Sequence, residues 1–148
     1  MEEDSEFLEM VLKHKGNPNL VNSANDIIYG GRTPLFDAIR SRNSRNVALL
    51  IKAGANPNHK DKDGLTPLMF AAESRCFDFV LTMLNSGADW KIQYEPGMDL
   101  AYFCLDNSVK KSEFPEKYRD REKVLQFLRD KGVDLEATQR FIDERKKK

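Results

Sequence analysis

Residue types that usually carry chemistry are scarce in this 148-residue chain, which has two histidines, two cysteines and one tryptophan. His14 and His59 sit in no HExxH pattern, and GxSxG, Walker and GxGxxG signatures are absent, so the common hydrolytic and phosphate-binding motifs are missing. Cys76 and Cys104 lack CxxC spacing and read as free thiols; a disulfide requires a fold that brings them together. An excess of one charge is also lacking. With 24 basic and 24 acidic residues, no overall positive field favours nucleic acid. No apolar run approaches the ~20 residues that cross a bilayer, and no signal peptide is visible. Asp61-Lys62-Asp63-Gly64 opens like a calcium loop, but Met69 stands where the closing acidic ligand is required, which leaves a turn built by Asp and Gly. Without converging titratable groups, the sequence predicts no catalytic residues, no cofactor and no metal.

What the chain does have is a period. Gly31-Arg32-Thr33-Pro34-Leu35 returns 33 residues on as Gly64-Leu65-Thr66-Pro67-Leu68, and Gly97-Met98-Asp99-Leu100 follows after another 33. Ala38, Ala71 and Cys104 keep the same step. Gly54-Ala55-Asn56 recurs as Gly87-Ala88-Asp89, again 33 residues on, then as Gly132-Val133-Asp134 after 45, an excess of 12 that marks an insertion. Thr33, Thr66 and Asp99 suit a helix N-cap, and Pro34 and Pro67 suit the first helical position, where an absent N–H costs nothing. Leu35, Ala38 and Ile39, like Leu68, Ala71 and Ala72, fall at helical spacing. A second helix carries Val47, Leu49, Leu50 and Ile51, or Val80, Met83 and Leu84, or Leu125, Phe127 and Leu128, and Gly54, Gly87 and Gly132 end it. One such pair buries too little alone, so stability has to come from stacking.

The period and the Thr-Pro-Leu starts resemble the ankyrin repeat, a unit of about 33 residues with a TPLHxA signature. Two departures stand out: Phe36, Met69 and Tyr102 replace the signature His, and the fourth copy has Met98-Asp99-Leu100-Ala101 in place of Thr-Pro-Leu. The resemblance implies an all-α solenoid of helix-turn-helix units with short β-hairpin loops, forming one domain. Its divisions are a partial repeat at 5–19, repeats at about 28–58, 61–91 and 94–136, and a basic, solvated tail at 137–148. Residues 5–15 read as a second helix without its first, either a half-unit cap or the start of a mature or truncated form.

Function in such a stack belongs to an extended concave face. The resemblance places contacts around each turn glycine and at the end of the first helix. Carried over, these are Tyr29, Gly30, Arg32, Arg40 and Ser41; then Lys62, Asp63, Leu65, Glu73 and Ser74; then Glu95, Pro96, Met98, Asp106 and Asn107, with Gln93 and Tyr94 on the same loop. Leu65 and Met98 are expected to stand exposed at hairpin tips, and Tyr and Arg are types enriched at interface hot spots. Trp90 is expected to pack between repeats, and His59 to be a solvated loop residue. Two loops exceed the repeat. The first hairpin is six residues longer than the second and ends in Ile27, Ile28 and Tyr29, a run read as a recognition element; the other surplus lies around Asn107 to Tyr118.

The chain is also similar to small bacterial ankyrin immunity proteins paired with type VI secreted lipase effectors. That resemblance implies a non-enzymatic inhibitor holding a toxin in a 1:1 complex, in the periplasm if an upstream signal has been removed and in the cytoplasm otherwise. The alternative is a general ankyrin adaptor.

Overall fold

The computed structural model describes residues 2–23, 30–107 and 109–147. Within them lie eight helices and no strand: α1 (Glu2–Lys13), α2 (Pro34–Arg40), α3 (Ser44–Lys52), α4 (Pro67–Glu73), α5 (Phe77–Asn85), α6 (Leu100–Asp106), α7 (Pro115–Asp130) and α8 (Leu135–Arg145). The turn loops keep hairpin-like closure, Asp61 N donating to Leu65 O at 2.9 Å and Tyr94 N to Met98 O at 3.0 Å, without extending into the expected β-hairpins.

Two layers result. Helices α2, α4, α6 and α8 pack successively on one side, α1, α3, α5 and α7 on the other, and α2–α3, α4–α5 and α6–α7 form antiparallel units between them. Leu35, Ile39, Leu68, Ala71, Phe77, Val80, Leu100, Cys104 and Leu128 are fully or nearly fully buried where the layers meet. Ala38, Ala71 and Cys104 are all buried, as their shared register requires. Trp90 packs, half-buried, against this core.

Local signals set the helix ends. Thr66 Oγ1 accepts from Met69 N at 3.2 Å, and Asp99 Oδ1 from Ala101 N at 2.9 Å and Tyr102 N at 3.3 Å. Thr33 is the exception to the expected caps. Its main-chain carbonyl takes Phe36 N, and its buried hydroxyl has no partner among the described residues. A polar ladder ties the second-helix exits together: Asn19 Oδ1 accepts from Asn56 N at 2.7 Å, and Asn58 Oδ1 from Asp89 N at 2.9 Å. His59 belongs to the lateral ties as well. Half-buried rather than solvated, its Nε2 lies 2.7 Å from Gly31 O, because the neighbouring turn stacks directly on it.

The insertion resolves into two parts. Helix α7 has 16 residues where α5 has nine, and the connection from Asp106 to Pro115 is five residues longer than that from Glu73 to Phe77, which together account for the excess of 12. Arg121, on the added turns of α7, donates from Nε to Cys104 O at 2.8 Å and so satisfies a carbonyl at the end of α6.

Where the sequence places a solvated tail from 137, the structure has α8 docked on α6. Asp134 caps it, accepting from Ala137 N at 2.9 Å. Ile142 is its buried anchor, and Phe141 packs edge-on to Tyr102 at 6.1 Å. Gly97 makes room for that ring: its φ of +83° suits glycine, and a Cβ there would lie 3.0 Å from Phe141 Cζ.

Candidate functional site

The turn loops and the α4–α6 face enclose a groove of about 440 Å³. It begins at Arg32. The Arg32 guanidinium pairs with Asp61 at 3.0 Å, with side chains 12% and 1% exposed, and it lies 5.0 Å from the Phe36 ring centre and 4.8 Å from that of Phe70. Asp61 is held in turn by its own loop, its Oδ1 accepting from Asp63 N at 3.1 Å and Leu65 N at 2.9 Å. A buried charge is tolerable here because the carboxylate has both an ion pair and amide donors. Arg32 is therefore part of the groove's floor rather than a mobile arm.

Further along, Tyr94 meets Phe103 edge-on at 6.3 Å, and Phe103 meets Tyr102 at 5.5 Å, giving an aromatic wall with Tyr94 at its exposed lip. Asp61, Asp63, Glu73 and Asp106 add carboxylates to the same lining. Burial pushes the Glu73 carboxyl above its usual range, Arg32 pulls it back down and Asp61 adds to the rise. Outside the groove lining, at the start of α6, Asp99 is likewise pushed up by burial, against the lowering effect of the amides it caps.

The groove unites Arg32, Asp63, Leu65, Glu73, Tyr94, Met98, Asp106 and Asn107 of the expected contacts. Two of these differ in kind from the expectation. Leu65 and Met98 are buried, at 9% and 8% exposure, and belong to the hydrophobic core. The reason is lateral: successive loops bind each other, as in Lys62 N to Gly30 O at 3.1 Å and Lys60 Nζ to Gln93 O at 3.2 Å, so a loop-tip side chain is covered by the next unit.

Other expected contacts lie off the groove. Arg40 bonds Asp37 at 2.9 Å and, with Ser41, borders a separate depression beside α1. Lys62 is exposed beside the groove, and Ser74 turns its carbonyl to Arg42 Nη2 at 3.1 Å. Glu95 is engaged by Arg145 of α8 at 3.3 Å. Ile27, Ile28 and Tyr29 lie outside the described residues. Spacing alone marks Asp61 only as a turn former, and it does not place Tyr102 and Phe103 on the groove wall, because that depends on the rotation of α6. Tyr102 did carry a signal, since it replaces the signature His.

Both thiols are free and buried. Burial pushes Cys104 up to about 12, and it raises Cys76 as well, although Arg42 Nη1, 3.3 Å from its sulfur, works against the rise. Neither is poised as a nucleophile. Among the described residues no His, Cys, Asp and Glu cluster could hold a metal, and no helix is long and apolar enough to cross a membrane.

Comparison with known proteins agrees with this architecture. The family model for ankyrin repeats (three copies) matches residues 1–94. Inactive serine/threonine-protein kinase TEX14 of Bos taurus is 27% identical over 117 residues, which cover 76% of this chain and 8% of that protein. The chain thus spans less than a tenth of the length of the curated relative it matches. Ankyrin repeats are protein-binding and generally non-catalytic modules. The chain, matched over well more than half its length, belongs to the ankyrin-repeat family.

Proposed function

We propose that this chain is a non-enzymatic binding module that holds a segment of a protein partner in the groove between its turn loops and the α4–α6 face. The observation that carries this reading is the groove itself. Three successive units contribute to it, and Tyr94 stands at its lip, 36% exposed beside buried Met98 and Phe103. Exposed aromatics on a rigid, buried base suit interface anchors, because little side-chain entropy is lost on contact.

Photo-crosslinking tests the placement. A benzophenone side chain at Tyr94 is expected to capture the bound partner, and the same group at Gln126, on the outer helix α7, is not. Capture at Gln126 alone would put the interface elsewhere.

In its narrower form the proposal makes the chain an immunity protein, binding a type VI lipase toxin 1:1 in the periplasm and blocking substrate access. Sequence resemblance alone supports that form. Its test is a search beside the gene for a lipase toxin, whose activity should fall to zero at equimolar protein; no such toxin, or one fully active in excess protein, ends it. The alternative form is a general ankyrin adaptor, which would hold its partner without inhibiting it.

A further inference from the structure

Although the chain is neutral overall, the groove is not. Among the described residues, one cation, Arg32, and four carboxylates, Asp61, Asp63, Glu73 and Asp106, line it. Arg32 is committed to Asp61, and Asp106 is paired with Lys146 Nζ at 2.7 Å. Asp63 and Glu73 are left: among the described residues neither carboxylate makes an ion pair at contact distance. Both face a space walled by Tyr94 and Tyr102, side chains able to receive the stem and charge of a cation.

The molecule already shows how such a surface is filled. At the C-terminal end of the same face, α8 lays Phe141 against Tyr102 while Arg145 reaches Glu95 and Lys146 reaches Asp106. An apolar side chain flanked by basic ones is thus the pattern this face accepts from its own chain. The acids nearer the middle of the stack lack an equivalent.

From this charge and aromatic complementarity we infer that the groove's occupant is a basic segment of the partner, carrying Lys or Arg next to an apolar or aromatic side chain and pairing with Asp63 and Glu73. The inference rests on the groove being the binding site. Burial of a matching cation would also relieve the penalty that raises the Glu73 carboxyl.

The test uses the full chain and three synthetic 12-residue peptides: one alternating Lys/Arg with Leu/Tyr, one with Glu in place of every Lys/Arg, and one with Ser in their place. Backbone amide NMR titrations are expected to show the basic peptide shifting residues 63–66, 73, 94 and 102, and the other two leaving them in place. In the near-isosteric variant Asp63→Asn/Glu73→Gln, whose melting curve verifies folding, affinity for the basic peptide should fall roughly tenfold, the effect of about 1.4 kcal/mol shared by two charge contacts. Equal shifts from the acidic or serine peptide, no shift from the basic one, or an unchanged affinity in the variant would each overturn the inference. So would concentration-dependent self-association that the variant abolishes, since a second copy would then be the occupant. The two levels fail differently. A partner captured at Tyr94 through a segment without Lys or Arg sinks the basic occupant and leaves the binding module standing, whereas capture only at Gln126 sinks both.

Discussion

Helices α4 and α5 and the closing helix α8 hold their places by different means. The central pair buries Leu68, Met69, Ala71 and Ala72 from one helix and Phe77, Phe79, Val80 and Met83 from the other. Helix α8, longer than either, buries Ile142 alone and otherwise relies on half-buried Phe141 and Leu135 and on ion pairs that reach solvent. Apolar burial stabilises by roughly 25 cal/mol per Å², whereas an exposed ion pair contributes about 1 kcal/mol or less. The middle of the stack therefore fixes the groove's shape, and the end is held weakly, over positions that a partner would also use.

Substitutions can break or sharpen that contrast. The largest loss is expected from Phe77→Ala, which empties a fully buried site in the central pair; unfolding free energy by urea should drop by about 3–5 kcal/mol. Leu65→Asp comes next. Since Leu65 is buried, the charge should cost about 2–3 kcal/mol of stability, and a melting curve unchanged by it would show that the loop tip is open after all.

Gly97→Ala acts at the other region. A methyl group there meets both a positive φ and the Phe141 ring, so about 1–2 kcal/mol should be lost, with faster amide exchange in α8 and unchanged protection in α4. Faster exchange in α4 would mean that the two regions are one cooperative unit.

The smallest effect concerns Glu73. Its folded-state pKa is raised, so its contribution favours folding below the ordinary carboxylate range and is lost as pH rises through the raised value. Glu73→Gln should therefore raise stability at neutral pH, by about 0.5 kcal/mol or less because the carboxylate, though partly covered, still reaches solvent and is screened, and leave it unchanged in acid. A gain that persists in acid would rule out the carboxylate's charge as the cause.

Much of the architecture was legible because it is local chemistry repeated. The turn glycines, the Thr66 and Asp99 caps, the small residues at 38, 71 and 104 and the 12-residue excess all follow from spacing. What was missed depends on neighbours far along the chain. Leu65 and Met98 look exposed until the adjacent loop covers them, and Thr33 matches Thr66 in sequence yet its hydroxyl has no partner among the described residues. Helix α8 was hidden by its charges, since Leu135, Phe141 and Ile142 make too sparse an apolar stripe to stand out beside a basic end. In the groove, Asp63 and Glu73 follow from register, and Tyr94 from its place on the loop that carries Glu95. Asp61 and Phe103 do not, because their roles come from contacts made across units.

Hydrogen exchange on the chain with and without its bound partner tests the central claim most directly. Protection is expected in the turn loops around 61–66 and 94–99 and at the exposed edges of α4 and α6, with the outer helices α3, α5 and α7 unchanged. Protection confined to those outer helices would contradict the assignment of the groove as the binding surface.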